Sequence, residues 1–243
     1  MILSLHDAII KLLYYLVGSL ERRVTVNKPD KKIKIQDQRS LLKALDWLYE
    51  KAVDGIGGTA GCQQLADDYM RKYCYEPTLA ARKLVRAQMM KCTTSGFITS
   101  LGGLLSLPVA LPANLSSVWY LQLQMIATIA VLGGYDPSRS EVKALCFACL
   151  AGSDSVDLVK QAAAQYAGVG DIAPISRIPD TALKALNRKL GLRFITRAGE
   201  KGMVKLGKMV PVMGGVVGGG IDLVSTRVTA NTAVKAFIFD RVL

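Results

Sequence analysis

Histidine is almost missing from this chain: its 243 residues include one, His6. That excludes HExxH metallopeptidases, Ser-His-Asp triads and most schemes in which an imidazole is the general base. No GxSxG elbow is present, and the glycine-rich run Gly214 to Gly220 lacks the Gly-Lys-Ser/Thr ending with which a P-loop holds phosphate and magnesium. Cysteines number five, an odd set with no regular spacing, so no disulfide framework is expected. They read as reduced thiols of an intracellular chain. Cys146 and Cys149 have CxxC spacing, but one such pair inside an apolar helix, with no second pair, reads as core packing rather than a metal site. Neither a metal nor another cofactor is expected.

Charge is missing from Cys92 to Tyr135. Within that stretch Leu115 to Leu132 is long enough to cross a hydrocarbon layer of ~30 Å as a helix. Gly102, Gly103, Pro108 and Pro112 break the part before it, which would expose backbone groups that lipid cannot satisfy. Gln122 and Gln124 also need polar partners. These features favour burial as a hairpin in the protein's own core over a resident span, with bilayer contact as the alternative.

What is present is mostly helical punctuation. The apolar amino terminus, interrupted by His6, Asp7 and Lys11, does not follow the order of a cleaved signal; Leu5, Ile9, Leu12, Leu13 and Leu16 instead mark an amphipathic helix. Alternation of Val24, Val26, Ile33 and Ile35 with polar residues gives a connector over Arg22 to Gln38, with room for a short β-hairpin. Residues 1–39 are therefore set apart from 40–243. Helices are expected from Ser40 to Ala52, stopped by Gly55, Gly57 and Gly58; from about Ala60 to Tyr73; and from Leu79 to Met90, the last with a basic face. The run Asp136 to Glu141 reads as a helix start, either capped by Asp136 or closed as a Ser138–Glu141 capping box. That helix ends at Gly152, a more polar one follows to about Ala167, and a final helix runs from Ile221 to about Phe239. The fold class is all-α, a multi-helix bundle around the uncharged hairpin.

The net charge of +12 is concentrated. Lys184, Arg188, Lys189, Arg193, Arg197, Lys201, Lys205 and Lys208 face only Glu200 in their window. Such a block attracts phosphate, in lipid headgroups or in nucleic acid, and salt weakens the attraction. With Phe194 as the one aromatic among them, nucleic acid is disfavoured. Gly191, Gly199 and Gly202 predict two shorter helices here rather than one.

Gly96-Phe97 to Gly102-Gly103, Leu107 to Pro112, Gln122 to Ala130, Gly134-Tyr135-Asp136-Pro137 and Pro211 to Asp222 stand in an order and spacing that resemble the EcsC family. The likeness runs from about Ser40 to the carboxyl terminus. It implies an all-helical bacterial protein, related to one encoded beside an ABC transporter, with apolar segments suited to membrane association and no established reaction. Positions it singles out are Pro108, Pro112, Gln122, Gly134, Tyr135, Asp136, Pro211, Gly214, Gly215 and Asp222. The glycines and prolines among them read as close packing and fixed turns.

Two functions follow as expectations. The first is a non-catalytic, cytoplasmic protein peripherally bound to membranes, meeting anionic lipid or a membrane protein through the basic block and the apolar glycine-rich segments. The second is a hydrolase using carboxylates, Asp136, Glu141 and Asp222, brought into one cavity. Self-association is left open.

Overall fold

The computed structural model describes residues 35–93, 113–166, 178–206 and 225–240. The expected amino-terminal helix and β-hairpin, the expected first arm of the uncharged hairpin with Gly102, Gly103, Pro108 and Pro112, and the segment with Lys208, Pro211, Gly214, Gly215 and Asp222 lie outside them.

The described residues form an all-α bundle. Its helices are α1 (Ile35–Asp54), α2 (Cys62–Lys72), α3 (Pro77–Thr93), α4 (Ala113–Leu132), α5 (Ser140–Ala151), α6 (Ser153–Ala164), α7 (Asp180–Leu206) and α8, helical over 225–234 and wound as a π-helix over Lys235–Phe239. The first helix begins at Ile35, five residues before the expected start, so Ile35 to Gln38 are helical rather than connector and the 39/40 division falls inside α1. Its end is as expected: Gly55 N–H donates to the Lys51 carbonyl at 2.9 Å with φ +92°, a conformation glycine adopts without strain.

A helix without charge is apolar all round and must be enclosed on every side. The chain does this with α4, which packs against α1, α2, α3, α5 and the π-helical turn of α8. Every residue from Trp119 to Ala130 is buried. Fully enclosed Leu121, Leu123, Met125, Ile126 and Ile129 contribute about 1.5–3 kcal/mol each by leaving water. No helix among the described residues is long and apolar enough to cross a membrane.

Gln122 and Gln124 of α4 are paired inside the core. Gln122 Nε2 donates to Thr226 Oγ1 of α8 at 3.1 Å. Gln124 Nε2 donates to the Ala60 carbonyl at 2.9 Å and lies 3.1 Å from the Tyr120 hydroxyl, while Gln124 Oε1 accepts from Gln88 Nε2 of α3 at 3.2 Å. Thr59 Oγ1 and the Tyr120 hydroxyl are 3.0 Å apart. A buried amide left unpaired costs ~1–3 kcal/mol, so these bonds fix how α3, α8 and the α1–α2 loop sit on α4.

The end of α4 explains Gly134. Tyr135 N–H reaches back to the Ala130 carbonyl at 3.0 Å and Gly134 N–H to that of Val131 at 2.9 Å, with Gly134 at φ +89°. This is the left-handed helix ending that glycine supplies. Tyr135 then packs its ring 5.6 Å from that of Phe237.

Candidate functional site

Two groups of residues were expected to carry function, the carboxylates at 136, 141 and 222 and the basic block. The turn before α5 holds the first two carboxylates. Asp136 is exposed, and its Oδ1 accepts from the Ser138 backbone N–H at 2.9 Å and the Ser138 hydroxyl at 2.7 Å. These bonds, helped by nearby Arg139, hold its carboxyl below the usual aspartate range. Glu141, nearly buried, pairs with Arg139 at 2.5 Å.

Neither expected cap forms. Helix α5 starts at Ser140 with Arg139 at the capping position and no side-chain cap, because Asp136 is spent on its own turn and Glu141 on Arg139. The turn is tied to α1 by Tyr49, whose hydroxyl donates to the Pro137 carbonyl at 2.7 Å. Asp136 and Glu141 are thus each satisfied locally, and Asp222 lies outside the described residues.

Cys146 and Cys149 are fully buried on α5, and Cys62 is buried at the start of α2. Burial pushes the Cys62 thiol up to about 11 and the Cys146 thiol up to about 12, and raises Cys149 well above its usual value. Thiols held protonated are poor nucleophiles and poor ligands. No cluster able to hold a metal exists among the described residues.

The basic block lies on α7, which is one continuous helix of 27 residues rather than the two expected. Gly191 does not break it because Gly191 is where α7 meets α1: a Cβ there would stand 2.7 Å from Leu42 Cδ2. Leu183, Leu190, Phe194 and Ile195 are buried on the same side. Phe194 sets its ring edge-on to Trp119 of α4 at 4.8 Å. Tertiary packing outweighs the ~1 kcal/mol that a glycine costs inside a helix.

The exposed positions of α7 between Asp180 and Arg193 include three cations. Lys184, Arg188 and Lys189 are exposed and make no ion pair with a described residue. Arg188 and Lys189, with Ala185 and Leu192, line an open depression of about 380 Å³. Residues four apart turn by about 40° around a helix, so a four-residue stripe drifts off any one face. At Arg193 the drift has reached α6: its guanidinium lies 3.7 Å from Asp154. The backbone of α7 carries Arg197, Lys201 and Lys205 onward, with their side chains outside the described residues, as is Lys208.

The model of the EcsC protein family matches residues 62–239, from the first residue of α2 to the last turn of α8. No curated protein and no solved structure matches the chain.

Proposed function

Because the chain belongs to the EcsC protein family, whose model spans most of its length, we propose that it is a non-catalytic protein that binds anionic membrane surfaces through the exposed side of α7. One observation carries the reading. Lys184, Arg188 and Lys189 are exposed within six residues of one continuous helix, unpaired among the described residues, with no acidic residue between Asp180 and Glu200.

Keeping three neighbouring cations unpaired on one helix is unfavourable for folding and favourable for meeting phosphate. Each Lys or Arg near an anionic leaflet contributes about 1 kcal/mol of attraction, which vanishes beyond a Debye length of about 8 Å at physiological salt. The face around the depression is shallow and open, which suits headgroups at a surface better than an enclosed ligand. The carboxylates offer less to a hydrolase, since Asp136 and Glu141 are engaged within their own turn.

Co-sedimentation of the full chain with phosphatidylcholine vesicles, with and without phosphatidylserine, tests this. Binding should need the anionic lipid, weaken steeply with salt, and drop about 100-fold in the triple variant K184E/R188E/K189E. Equal binding by that variant removes α7 from the account.

A further inference from the structure

A second basic surface lies on α3. Helix α3 contains no acidic residue in its first turn or beyond, and it packs on α2 and α4, whereas α7 packs on α5 and α1. From Leu79, residues 83, 86 and 90 return to within about 40° of the same direction and Arg82 to within about 60°, so the five share one stripe about 16 Å long. Ala80, Ala81, Leu84 and Gln88, pointing the other way, are the buried ones among the described side chains of α3.

The stripe mixes cations with apolar side chains that the bundle leaves partly in water. Met90 is 64% exposed and Leu79 36%. Arg82, Lys83 and Arg86 are exposed and make no ion pair with a described residue. Two residues before the helix stands Tyr75, 68% exposed. It is held there by an unusual turn. Cys74 and Tyr75 are both left-handed, at φ 56° and 59°, and Tyr75 N–H closes on the Met70 carbonyl at 2.8 Å. Side chains rarely adopt that conformation, and it costs ~1–3 kcal/mol per residue. Lys72 and Lys83 flank the Tyr73 ring at 5.9 and 5.8 Å, fastening the turn to α3.

We propose that this stripe, Leu79, Arg82, Lys83, Arg86 and Met90, with exposed Tyr75 just before it, is the surface that enters the headgroup layer of an anionic bilayer. It deepens the reading given for α7 by separating two tasks: α7 has charge alone, and α3 has charge with insertable side chains. The cations answer lipid phosphate while their stems lie along the acyl boundary. Tyrosine with an aliphatic and a thioether chain suits that boundary. A nucleic acid gives Leu79 and Met90 nothing to stack on, and an acidic peptide gives them no apolar layer.

The test uses the full chain with Met90→Trp, and vesicles with and without phosphatidylserine, some with brominated acyl chains. Relative to the parent chain, which carries Trp47 and Trp119, the variant's added emission should shift to the blue on binding anionic vesicles and be quenched by bromine. R82E/K83E/R86E should weaken binding about 100-fold, and Y75S/L79S/M90S should lower it while leaving the salt dependence in place. Unchanged emission from the introduced tryptophan on bound vesicles overturns the proposal, as does equal binding by both α3 variants. If K184E/R188E/K189E alone loses binding, α7 stands and α3 falls. If only the α3 variants lose it, α3 stands and α7 falls. No binding by the parent chain ends both, and α3-dependent capture of polyglutamate without blue shift on vesicles overturns the lipid assignment.

Discussion

Gln122 and Thr226 are 104 positions apart in the chain and 3.1 Å apart in the core, where the amide of one donates to the hydroxyl of the other. The bond crosses from the most enclosed helix to the last one, and both side chains are buried. Thr226→Val keeps the shape and removes the acceptor, so the Gln122 amide loses this partner at a cost of about 1–3 kcal/mol. Adding Gln122→Leu should recover much of that loss, since removing both partners is far less costly than removing one. Urea denaturation of the single and double variants measures it; a double variant less stable than T226V would show that the bond does not decide this contact.

Glycines at 133 and 191 predict opposite tolerances. A Cβ at Gly133 would lie 2.6 Å from the Phe237 carbonyl oxygen and 3.2 Å from its carbon, which are backbone atoms of α8 that cannot turn away. Gly133→Ala should destabilise by about 1–3 kcal/mol through overpacking. At Gly191 the nearest atom is the tip of Leu42, a half-buried side chain free to rotate, and alanine gains about 1 kcal/mol of helix propensity. Gly191→Ala should therefore lie near the parent in thermal melting while Gly133→Ala falls several degrees below it.

Buried thiols set a limit at high pH. Cys62 and Cys146 titrate near 9 in an unfolded chain and at about 11 and about 12 when folded. Below pH 9 both states keep their protons and these groups give no pH dependence. Above it the unfolded chain releases protons that the folded one retains, so stability should fall as pH rises from about 9 toward 12. Tyr49, raised by burial and then by Cys146, acts in the same direction. In the native state near neutral pH, a thiol reagent should modify exposed Cys74 while sparing Cys62, Cys146 and Cys149; rapid labelling of these three would contradict their burial.

What the sequence shows and what it hides divide along physical lines. Absence of charge from Cys92 to Tyr135 predicts an enclosed helix because no local compensation can solvate it, and α4 is that helix. Gly55 and Gly134 are legible because a left-handed helix ending is a local requirement. Gly191 is not, since a breaker by propensity becomes a packing residue only once Leu42 is known to face it. The partners of Gln122 and Gln124 are hidden for the same reason, lying on other elements. Asp136 misleads because several local bonds are open to it and only the folded turn shows that Ser138 takes the carboxylate. The cations of α3 show in the sequence, but the outward set of Tyr75 depends on two consecutive left-handed residues, for which Cys-Tyr gives no signal.

Asp154 is placed to moderate the α7 surface. Its carboxylate lies 3.7 Å from Arg193, a partly exposed pair of the kind that contributes ~0–1 kcal/mol to stability, so its removal should hardly affect folding. On the proposed membrane contact its effect should be larger. Losing one carboxylate beside the block and freeing one guanidinium adds up to about 1 kcal/mol of attraction, or about fivefold in affinity. Asp154→Ala should therefore tighten binding to phosphatidylserine vesicles at low salt and lose that advantage as salt rises. Arg193→Ala should weaken binding little in the parent, where the charge is already shared, and cancel the gain when combined with Asp154→Ala. That non-additivity separates a local pair from a general change in net charge, which would shift all variants in proportion to their charge.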